Sequence, residues 1–301
     1  MITALLASLR PKQWTKNALV FAGYLFTIEQ NHTPGTLPRV LMAFGLFCAV
    51  SGAGYILNDV LDVECDRKHP RKAKRPIASG ALPVGVATVF GVVLAVAALF
   101  ASFALDLYFG ILVAAYALLT VAYSVVLKHI VIVDLLAITA GFVIRAVAGA
   151  MVVQAIDPVT HVAHRVEVSS WLLVCTTLLA LFLGLAKRRS ELIALEDNGT
   201  DHRKTLGDYT AAMLDQMLTI AAAASLMAYF LYTFTPGSKT GMHHPNMMIT
   251  IPFVIYGLFR YLYLIHAKNA GGSPEQLLVE DKPLLVNILL YVVAAVVALK
   301  L

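Results

Sequence analysis

The sequence predicts an all-α polytopic membrane protein with nine transmembrane helices. Of its 301 residues, 59% are hydrophobic and only 14% are charged, against about a quarter in soluble domains, and the mean hydropathy is +0.77. Continuous apolar runs recur along the chain, and a membrane helix needs about 20 such residues. A membrane β-barrel would instead show short alternating segments. We therefore expect a single transmembrane domain over residues 1–301.

Nine apolar segments define the predicted helices in chain order. Their limits are 17–33, 37–58, 84–104, 107–127, 131–152, 170–186, 210–234, 248–266 and 283–300. The N-terminal segment does not resemble a cleaved signal peptide. Arg10, Lys12 and Lys16 precede a span of full length, and no small-residue cleavage pattern follows it.

The basic residues set the expected orientation. If the N-terminus is cytoplasmic, 17 of the 23 lysines and arginines face the cytoplasm, four face the outside, and Arg145 and Arg260 lie within spans. This distribution follows the positive-inside rule and places the C-terminus outside. The two long charged links, 59–83 and 187–209, then lie on the cytoplasmic face, where we expect the functional site.

The composition argues against several other classes of protein. Cys48, Cys65 and Cys175 are far apart and form no CxxC pair, which disfavours a disulfide framework or a zinc site. The basic residues lie in links between spans and alternate with carboxylates instead of with aromatic residues. Nucleic acid is therefore not an expected partner.

The first charged link carries three aspartates at helical spacing. If the helix of the second span continues through residue 66, Asp59, Asp62 and Asp66 fall within about 60° of arc. Carboxylates on one stripe repel one another unless a cation joins them. Mg²⁺ typically combines one or two carboxylates with water and substrate phosphate oxygens, so the stripe indicates a diphosphate site. The alternative is a solvated helix end whose acids pair with basic neighbours such as Arg67.

The residues after the stripe supply donors for phosphate oxygens, Lys74 as a point charge and Arg75 as a guanidinium fork. The whole pattern is Asn58-Asp59-x-x-Asp62-x-x-x-Asp66 followed by Arg75-Pro76-x-x-Ser79-Gly80. It resembles the first Asp-rich motif and the trailing signature of the UbiA superfamily of membrane prenyltransferases, and nine spans are also typical of that family. The resemblance implies a UbiA-type helical bundle with cytoplasmic cap loops. It also implies that the three aspartates bind Mg²⁺ and the donor diphosphate, and that Asn58 binds a phosphate or ribose oxygen.

The second charged link departs from the pattern of aromatic prenyltransferases in that superfamily. Where those proteins have an Asp-x-x-x-Asp motif, this chain has Lys187, Arg188, Arg189 and then Glu191, and the carboxylates Glu196, Asp197 and Asp201 come later. Three bases at the end of a span attract an anion at the membrane surface, as a lipid phosphate would provide. Alternatively, they anchor the helix end. Glu191 is either a metal ligand or an ion-pair partner of Lys187.

Two further segments resemble one branch of the superfamily. They are residues 9–17, Leu-Arg-Pro-Lys-Gln-Trp-Thr-Lys-Asn, and residues 201–206, Asp-His-Arg-Lys-Thr-Leu. That branch transfers phosphoribose from phosphoribosyl diphosphate to a polyprenyl phosphate, such as decaprenyl phosphate, for bacterial cell-wall arabinan synthesis. The resemblance implies these two substrates, Mg²⁺, donor contact by Lys16 and a location in the bacterial cell membrane, and it allows a homo-oligomer. Prenyl transfer to an aromatic or other small acceptor and anion transport are the alternatives.

Four more residues are assigned to substrate binding. Tyr123, Lys128 and Asp134 lie at the junction of the fourth and fifth spans. The resemblance implies that Lys128 binds donor phosphate and that Asp134 fixes Lys128 or a ribose hydroxyl. The alternative is an interfacial belt with an ion pair. Arg145 is costly within a membrane, so we expect it to face the lipid-phosphate path or to form a buried pair with Asp134 or Asp215.

Overall fold

Helices make up most of the structure, a computed structural model that describes residues 1–68, 72–157, 159–167, 169–198, 208–234, 245–268, 277–278 and 280–300. The α-helices are Ile2–Ser8 (α1), Ala22–Leu25 (α2), Thr36–Leu61 (α3), Val63–Lys68 (α4), Val84–Leu105 (α5), Leu107–Val125 (α6), Val133–Met151 (α7), Ser170–Asn198 (α8), Ala211–Phe234 (α9), Ile251–Lys268 (α10) and Lys282–Lys300 (α11). Short 3₁₀ helices cover Pro11–Phe21, Lys72–Lys74, Leu127–His129 and Pro245–Thr250. Two strands, Gln154–Ile156 (β1) and Ala163–Arg165 (β2), pair as an antiparallel hairpin.

Eight of the described helices are long and apolar enough to cross a membrane. They coincide with eight of the predicted spans and confirm an all-α, multi-pass membrane protein. The other predicted span, 17–33, takes a different form: only residues 17–25 are helical, in the end of the 3₁₀ helix Pro11–Phe21 and in α2. The predicted count of nine is therefore approximate.

The segment 11–25 lies closely against α7. A Cβ atom on Gly149 would come within 2.0 Å of the Val20 carbonyl oxygen, and one on Gly23 would come within 2.6 Å of the Ala150 Cα. Only glycine allows backbones to approach this closely. The contact holds the segment in place although most of it is not a regular α-helix.

The described residues form two compact units. The first unit comprises Met1–Tyr24, His32–Leu127 and Ile144–Val166. The second unit comprises Leu25–Asn31, Lys128–Val143 and the described part of Glu167–Leu301. That residues 1–301 act as one domain stays a prediction.

An aromatic core holds the first unit together. Phe47 of α3 packs edge-on against Phe109 and Tyr116 of α6, with ring centroids 5.7 Å and 5.5 Å away. α5 approaches α3 where a Cβ on Gly91 would lie 3.1 Å from the Ile56 side chain. This packing fixes the end of α3 that carries the aspartates of the first charged link.

Asp106 alone connects α5 to α6. Its backbone is extended, and its carboxylate accepts hydrogen bonds from the N–H groups of Tyr108 at 2.9 Å and Phe109 at 3.1 Å, which is the geometry of a helix N-cap. The same carboxylate pairs with Arg165 of β2 and lies 3.9 Å from Arg39 of α3. One aspartate therefore ends α5, caps α6 and binds the β1–β2 hairpin through Arg165.

The second unit buries its core between α8, α9, α10 and α11, where Phe182 and Tyr261 meet with ring centroids 5.5 Å apart. Arg260, which the sequence places within a span, donates to both carboxylate oxygens of Asp281 at 3.1 Å and 2.9 Å. Asp281 also accepts from the Leu284 N–H at the start of α11. Hydrogen bonding to Arg260 holds the pKa of Asp281 below its ordinary value.

The outer face of α5 is apolar and exposed. Five large side chains on this face are between 58% and 78% exposed. They are Val89, Val92, Val93, Val96 and Phe100. An apolar face of this length is stable against lipid and unfavourable in water. It is the surface expected of a helix at the edge of a membrane protein.

Replacing Gly149 by alanine is expected to lower the free energy of unfolding by about 1–3 kcal/mol, the usual cost of overpacking. The added Cβ would collide with the Val20 carbonyl. Gly45→Ala in α3 is the matched control, because a Cβ there meets nothing within 4 Å. Thermal unfolding of both variants in one detergent measures the difference. Equal melting temperatures would show that residues 11–25 are not held against α7.

Candidate active site

The aspartates of the first charged link lie at a break between two helices. α3 ends at Leu61, Asp62 has φ −97° and ψ 9°, and α4 begins at Val63. The prediction of one continuous helix through residue 66 is therefore wrong. Asn58 Nδ2 donates to Asp62 Oδ2 at 3.0 Å, which links two side chains one helical turn apart.

Arg75 brings Asp59 and Asp66 together. Its Nη1 lies 3.0 Å from Asp59 Oδ1 and 2.5 Å from Asp66 Oδ2, and both aspartate side chains are only 3% exposed. Arg10 donates to the same Asp59 oxygen, and Lys72 Nζ lies 3.9 Å from Asp66 Oδ1. We call these five residues the carboxylate cluster. Its cations stabilise two carboxylates that burial alone would strongly disfavour.

The carboxylate cluster fits a divalent cation with two ligands. Among the residues that the structure describes, no three His, Cys, Asp or Glu side chains come together as a metal-binding group. Asp59 and Asp66 converge, whereas Asp62 pairs with Asn58. Two carboxylates match the one or two that Mg²⁺ usually takes, since water and phosphate oxygens complete its shell. The residues present therefore fit a magnesium diphosphate.

The other residues predicted to bind the donor differ in their surroundings. Lys74 is exposed in the 3₁₀ helix Lys72–Lys74, and Tyr123 is half-buried in α6. Lys16 Nζ donates to Gln13 Oε1 at 3.1 Å. The structure thus brings Arg75 directly to the aspartates, and the roles of Lys16, Lys74 and Tyr123 stay predictions.

In the first unit, sequence reasoning missed the contact between Arg10 and Asp59. From the sequence, Arg10 contributes only to the orientation signal, yet it contacts Asp59 across 49 residues. Its position in the segment 9–17, which resembles one branch of the superfamily, was the signal that could have indicated a role in the site.

In the second unit, Arg188 of α8 is the centre of a buried ion-pair network. Its Nε lies 2.8 Å from Asp134 Oδ2 and its Nη1 lies 2.5 Å from Glu191 Oε2. The exposed fractions of the Arg188 and Asp134 side chains are 3% and 0%, so Arg188 is not a surface anchor. Lys187 lies 3.9 Å from Glu191, which supports the ion-pair interpretation of Glu191.

Arg189 has a separate partner. It pairs with Asp215 of α9, which also lies 3.2 Å from His266 Nε2 of α10. The three bases predicted to attract an anion therefore all have carboxylate partners in the second unit. The carboxylates at 196, 197 and 201, like His202, fall outside the side chains that the structure describes.

Tyr209 completes the network around Arg188, and sequence reasoning missed it. Its hydroxyl accepts from the Ile132 N–H at 2.7 Å and donates to Asp134 Oδ1 at 3.3 Å. Ile132 has a φ of 67°, which is rare for a β-branched residue. Burial raises the pKa of Tyr209, and the Asp134 carboxylate adds to this effect. Tyr209 therefore stays a neutral donor beside Asp134. Lys128, four residues before Ile132, is also buried.

Arg145 has other partners than the sequence suggests. The structure gives it partners inside the first unit. Its Nε donates to Asn17 Oδ1 at 2.8 Å, one Nη donates to the Tyr116 hydroxyl at 2.6 Å, and the guanidinium lies over the Tyr116 ring. Asn17 in turn donates to Ser51. Arg145 is 5% exposed, so it acts within the protein interior.

Comparison with known proteins gives one family. The model of the UbiA prenyltransferase family matches residues 18–278. A decaprenyl-phosphate phosphoribosyltransferase of Corynebacterium glutamicum is 35% identical over 98% of this chain and 86% of its own length. The protein of that name from Mycolicibacterium smegmatis is 32% identical over 97% of this chain and 91% of its own length.

Comparison with solved structures supports the same fold. A UbiA homolog from Archaeoglobus fulgidus bound to GPP and Mg²⁺ aligns over 99% of this chain and 100% of its own, with a TM-score of 0.69 and 15% identity. At this identity the similarity establishes the fold, and the expected UbiA-type architecture is confirmed.

Replacing Asp134 by asparagine is expected to lower the free energy of unfolding by about 3 kcal/mol, because one partner of a buried ion pair is removed. The variant Glu64→Gln serves as the control and should change stability little, because the ion pair of Glu64 with Arg67 is exposed to solvent. Chemical unfolding of the purified protein measures both. If the loss of stability comes from the Arg188 charge that Asp134 no longer balances, the double variant Asp134→Leu with Arg188→Met will recover part of the lost free energy of unfolding. A D134N protein as stable as the parent would contradict the assignment.

Proposed function

The chain belongs to the UbiA prenyltransferase family, and we propose that it transfers 5-phosphoribose from phosphoribosyl diphosphate to a polyprenyl phosphate and releases diphosphate. The observation that carries this proposal is the end-to-end similarity, at 32–35% identity, to relatives named decaprenyl-phosphate phosphoribosyltransferase. The product would supply bacterial cell-wall arabinan synthesis.

The carboxylate cluster supports the donor half of this proposal. Asp59 and Asp66 would hold Mg²⁺, and Arg75 would donate to diphosphate oxygens, because a guanidinium binds two phosphate oxygens at once. Asp62 would bind Mg²⁺ directly or through water, and Asn58 would donate a hydrogen bond to a phosphate or ribose oxygen at the same helix break. Lys16, Lys74, Tyr123 and Lys128 are further candidates for contact with the donor.

The second unit supports an anionic acceptor in place of an aromatic one. Arg188 lies buried between Asp134 and Glu191, with Lys187 and Arg189 on either side in the sequence. Each of these bases already pairs with a carboxylate, so we propose that the lipid phosphate binds by replacing such a partner, first at Lys187, whose side chain is 39% exposed.

The reaction needs little acid–base chemistry from the protein. An oxygen of the acceptor phosphate forms a bond to ribose C1 as the bond from C1 to the diphosphate oxygen breaks, and the diphosphate leaves with the electron pair. Bound Mg²⁺ would neutralise charge that develops on this leaving group. A phosphate monoester, with a second pKa of about 6, is already ionised at neutral pH. The tasks left to the protein are positioning and charge stabilisation.

The same proposal includes the cellular setting. The basic residues support a cytoplasmic N-terminus, an external C-terminus and a site on the cytoplasmic face of the bacterial cell membrane. The two units would act as a single functional domain, and assembly into a homo-oligomer is compatible with this arrangement.

The alternatives differ in their support. Prenyl transfer from a polyprenyl diphosphate to a small acceptor would use the same carboxylate cluster and fits the family. Anion transport is disfavoured, because Arg145 is bound to Asn17 and Tyr116 and the relatives compared above are named as transferases.

A paired assay on the purified protein decides between the two transferase activities. One reaction contains phosphoribosyl diphosphate and decaprenyl phosphate, and the other contains a polyprenyl diphosphate and 4-hydroxybenzoate. We expect a lipid-linked phosphoribose in the first, and its loss on chelation of Mg²⁺. Product in the second reaction alone would return the protein to aromatic prenyl transfer.

Replacing Asp66 by asparagine is expected to lower turnover by about 10²–10³-fold, the usual effect of removing one electrostatic contact to the transition state. Glu64→Gln is the matched control, because Glu64 lies on the same helix and is 76% exposed. Initial rates are compared after thermal unfolding has established that both variants are folded. Equal rates for D66N and E64Q would remove Asp66 from the site.

A further inference from the structure

Arg10 holds a carboxylate that a bound metal would also need. Its guanidinium donates to Asp59 Oδ1, the oxygen that also accepts from Arg75 Nη1 at 3.0 Å. The guanidinium carbon lies 5.0 Å from the centre of the Tyr55 ring, and the Arg10 side chain is 22% exposed. Arg10 is therefore partly open to a ligand while it neutralises a buried aspartate.

The backbone fixes Arg10 in this place. Its φ of 52° and ψ of 62° are left-handed, a conformation that non-glycine residues rarely adopt. The Trp14 indole N–H donates to the Leu9 carbonyl at 3.2 Å. A Cβ on Gly52 of α3 would lie 2.7 Å from the Leu9 side chain, so the segment before Arg10 is seated on α3. The contact with Asp59 is therefore held by the backbone conformation of Arg10 and by the packing of Leu9 on α3.

The charges of the carboxylate cluster indicate when Arg10 can leave Asp59. The carboxylate cluster contains two aspartates and three cations within ion-pair distance, so it carries one excess positive charge. A divalent cation added alone would increase that excess among largely buried groups, which is unfavourable. A diphosphate added with the metal brings the compensating negative charge, and it accepts hydrogen bonds from a guanidinium that leaves Asp59.

We propose that Arg10 is a donor-binding residue that serves as the counter-ion of Asp59 in the absence of substrate and binds the diphosphate when metal and donor enter together. The proposal rests on the diphosphate chemistry of the proposed function, but not on the identity of the group attached to the diphosphate. Its consequence is that metal and diphosphate bind cooperatively, because each compensates the charge of the other.

The test compares two binding constants of the full chain in detergent micelles. Free Mn²⁺ is followed by electron paramagnetic resonance, first with the metal alone and then with inorganic diphosphate. Arg10→Gln should bind Mn²⁺ alone several-fold more tightly and the Mn²⁺–diphosphate pair about tenfold more weakly, the usual size of a charged hydrogen bond. Arg10→Lys should change both constants in the same directions by less. Lys12→Gln, two residues away and exposed, should change neither.

The proposal predicts that the binding constants for Mn²⁺ alone and for the Mn²⁺–diphosphate pair shift in opposite directions. A purely structural role of Arg10 does not predict this. If Arg10 only stabilises the fold, R10Q and R10K will weaken both constants or leave both unchanged, and either result overturns the proposal. Because inorganic diphosphate is the probe, the result does not depend on phosphoribosyl transfer. Opposite shifts without turnover of phosphoribosyl diphosphate would support the role of Arg10 and overturn the proposed function.

Discussion

A charge buried in a membrane protein has to be paired or hydrogen-bonded where it lies, and this constraint shapes the structure at each of its polar centres. Asp59 and Asp66 share Arg75, Asp134 holds Arg188, and Arg145 is bound by neutral oxygens. The same contacts hold helices together and prepare groups for substrate. Stability and activity therefore depend on overlapping sets of side chains, so a substitution at these positions has to be measured for both.

The sequence predicts the helices well because an apolar run reports its preference for lipid whatever it packs against. It predicts Asp59 and Asp66 because their spacing is local, but it misses the break at Asp62, where the backbone leaves helical angles without a proline or glycine to mark the place. Arg10 could not be placed in the site from spacing, since its contact spans 49 residues and depends on tertiary packing.

Tyr209 was beyond sequence reasoning for a different reason. A tyrosine after a charged link is ordinary, and its importance comes from an isoleucine in a left-handed conformation 77 residues earlier in the chain. The two units each close their own polar network, with aspartates in the first and with Arg188 in the second. The contacts of one network can therefore be removed by substitutions that leave the described contacts of the other in place.

The connection at Asp106 has a consequence for biogenesis. α5 and α6 are joined by this single residue, and it is the only charged side chain from Val84 to Val125. One carboxylate oxygen, Oδ1, already accepts hydrogen bonds from the Tyr108 and Phe109 N–H groups at the start of α6. The two helices can leave the translocon as one unit, because no separate hydrophilic loop has to be carried across the bilayer. Insertion of this pair would then precede, and not require, the pairing of Asp106 with Arg165.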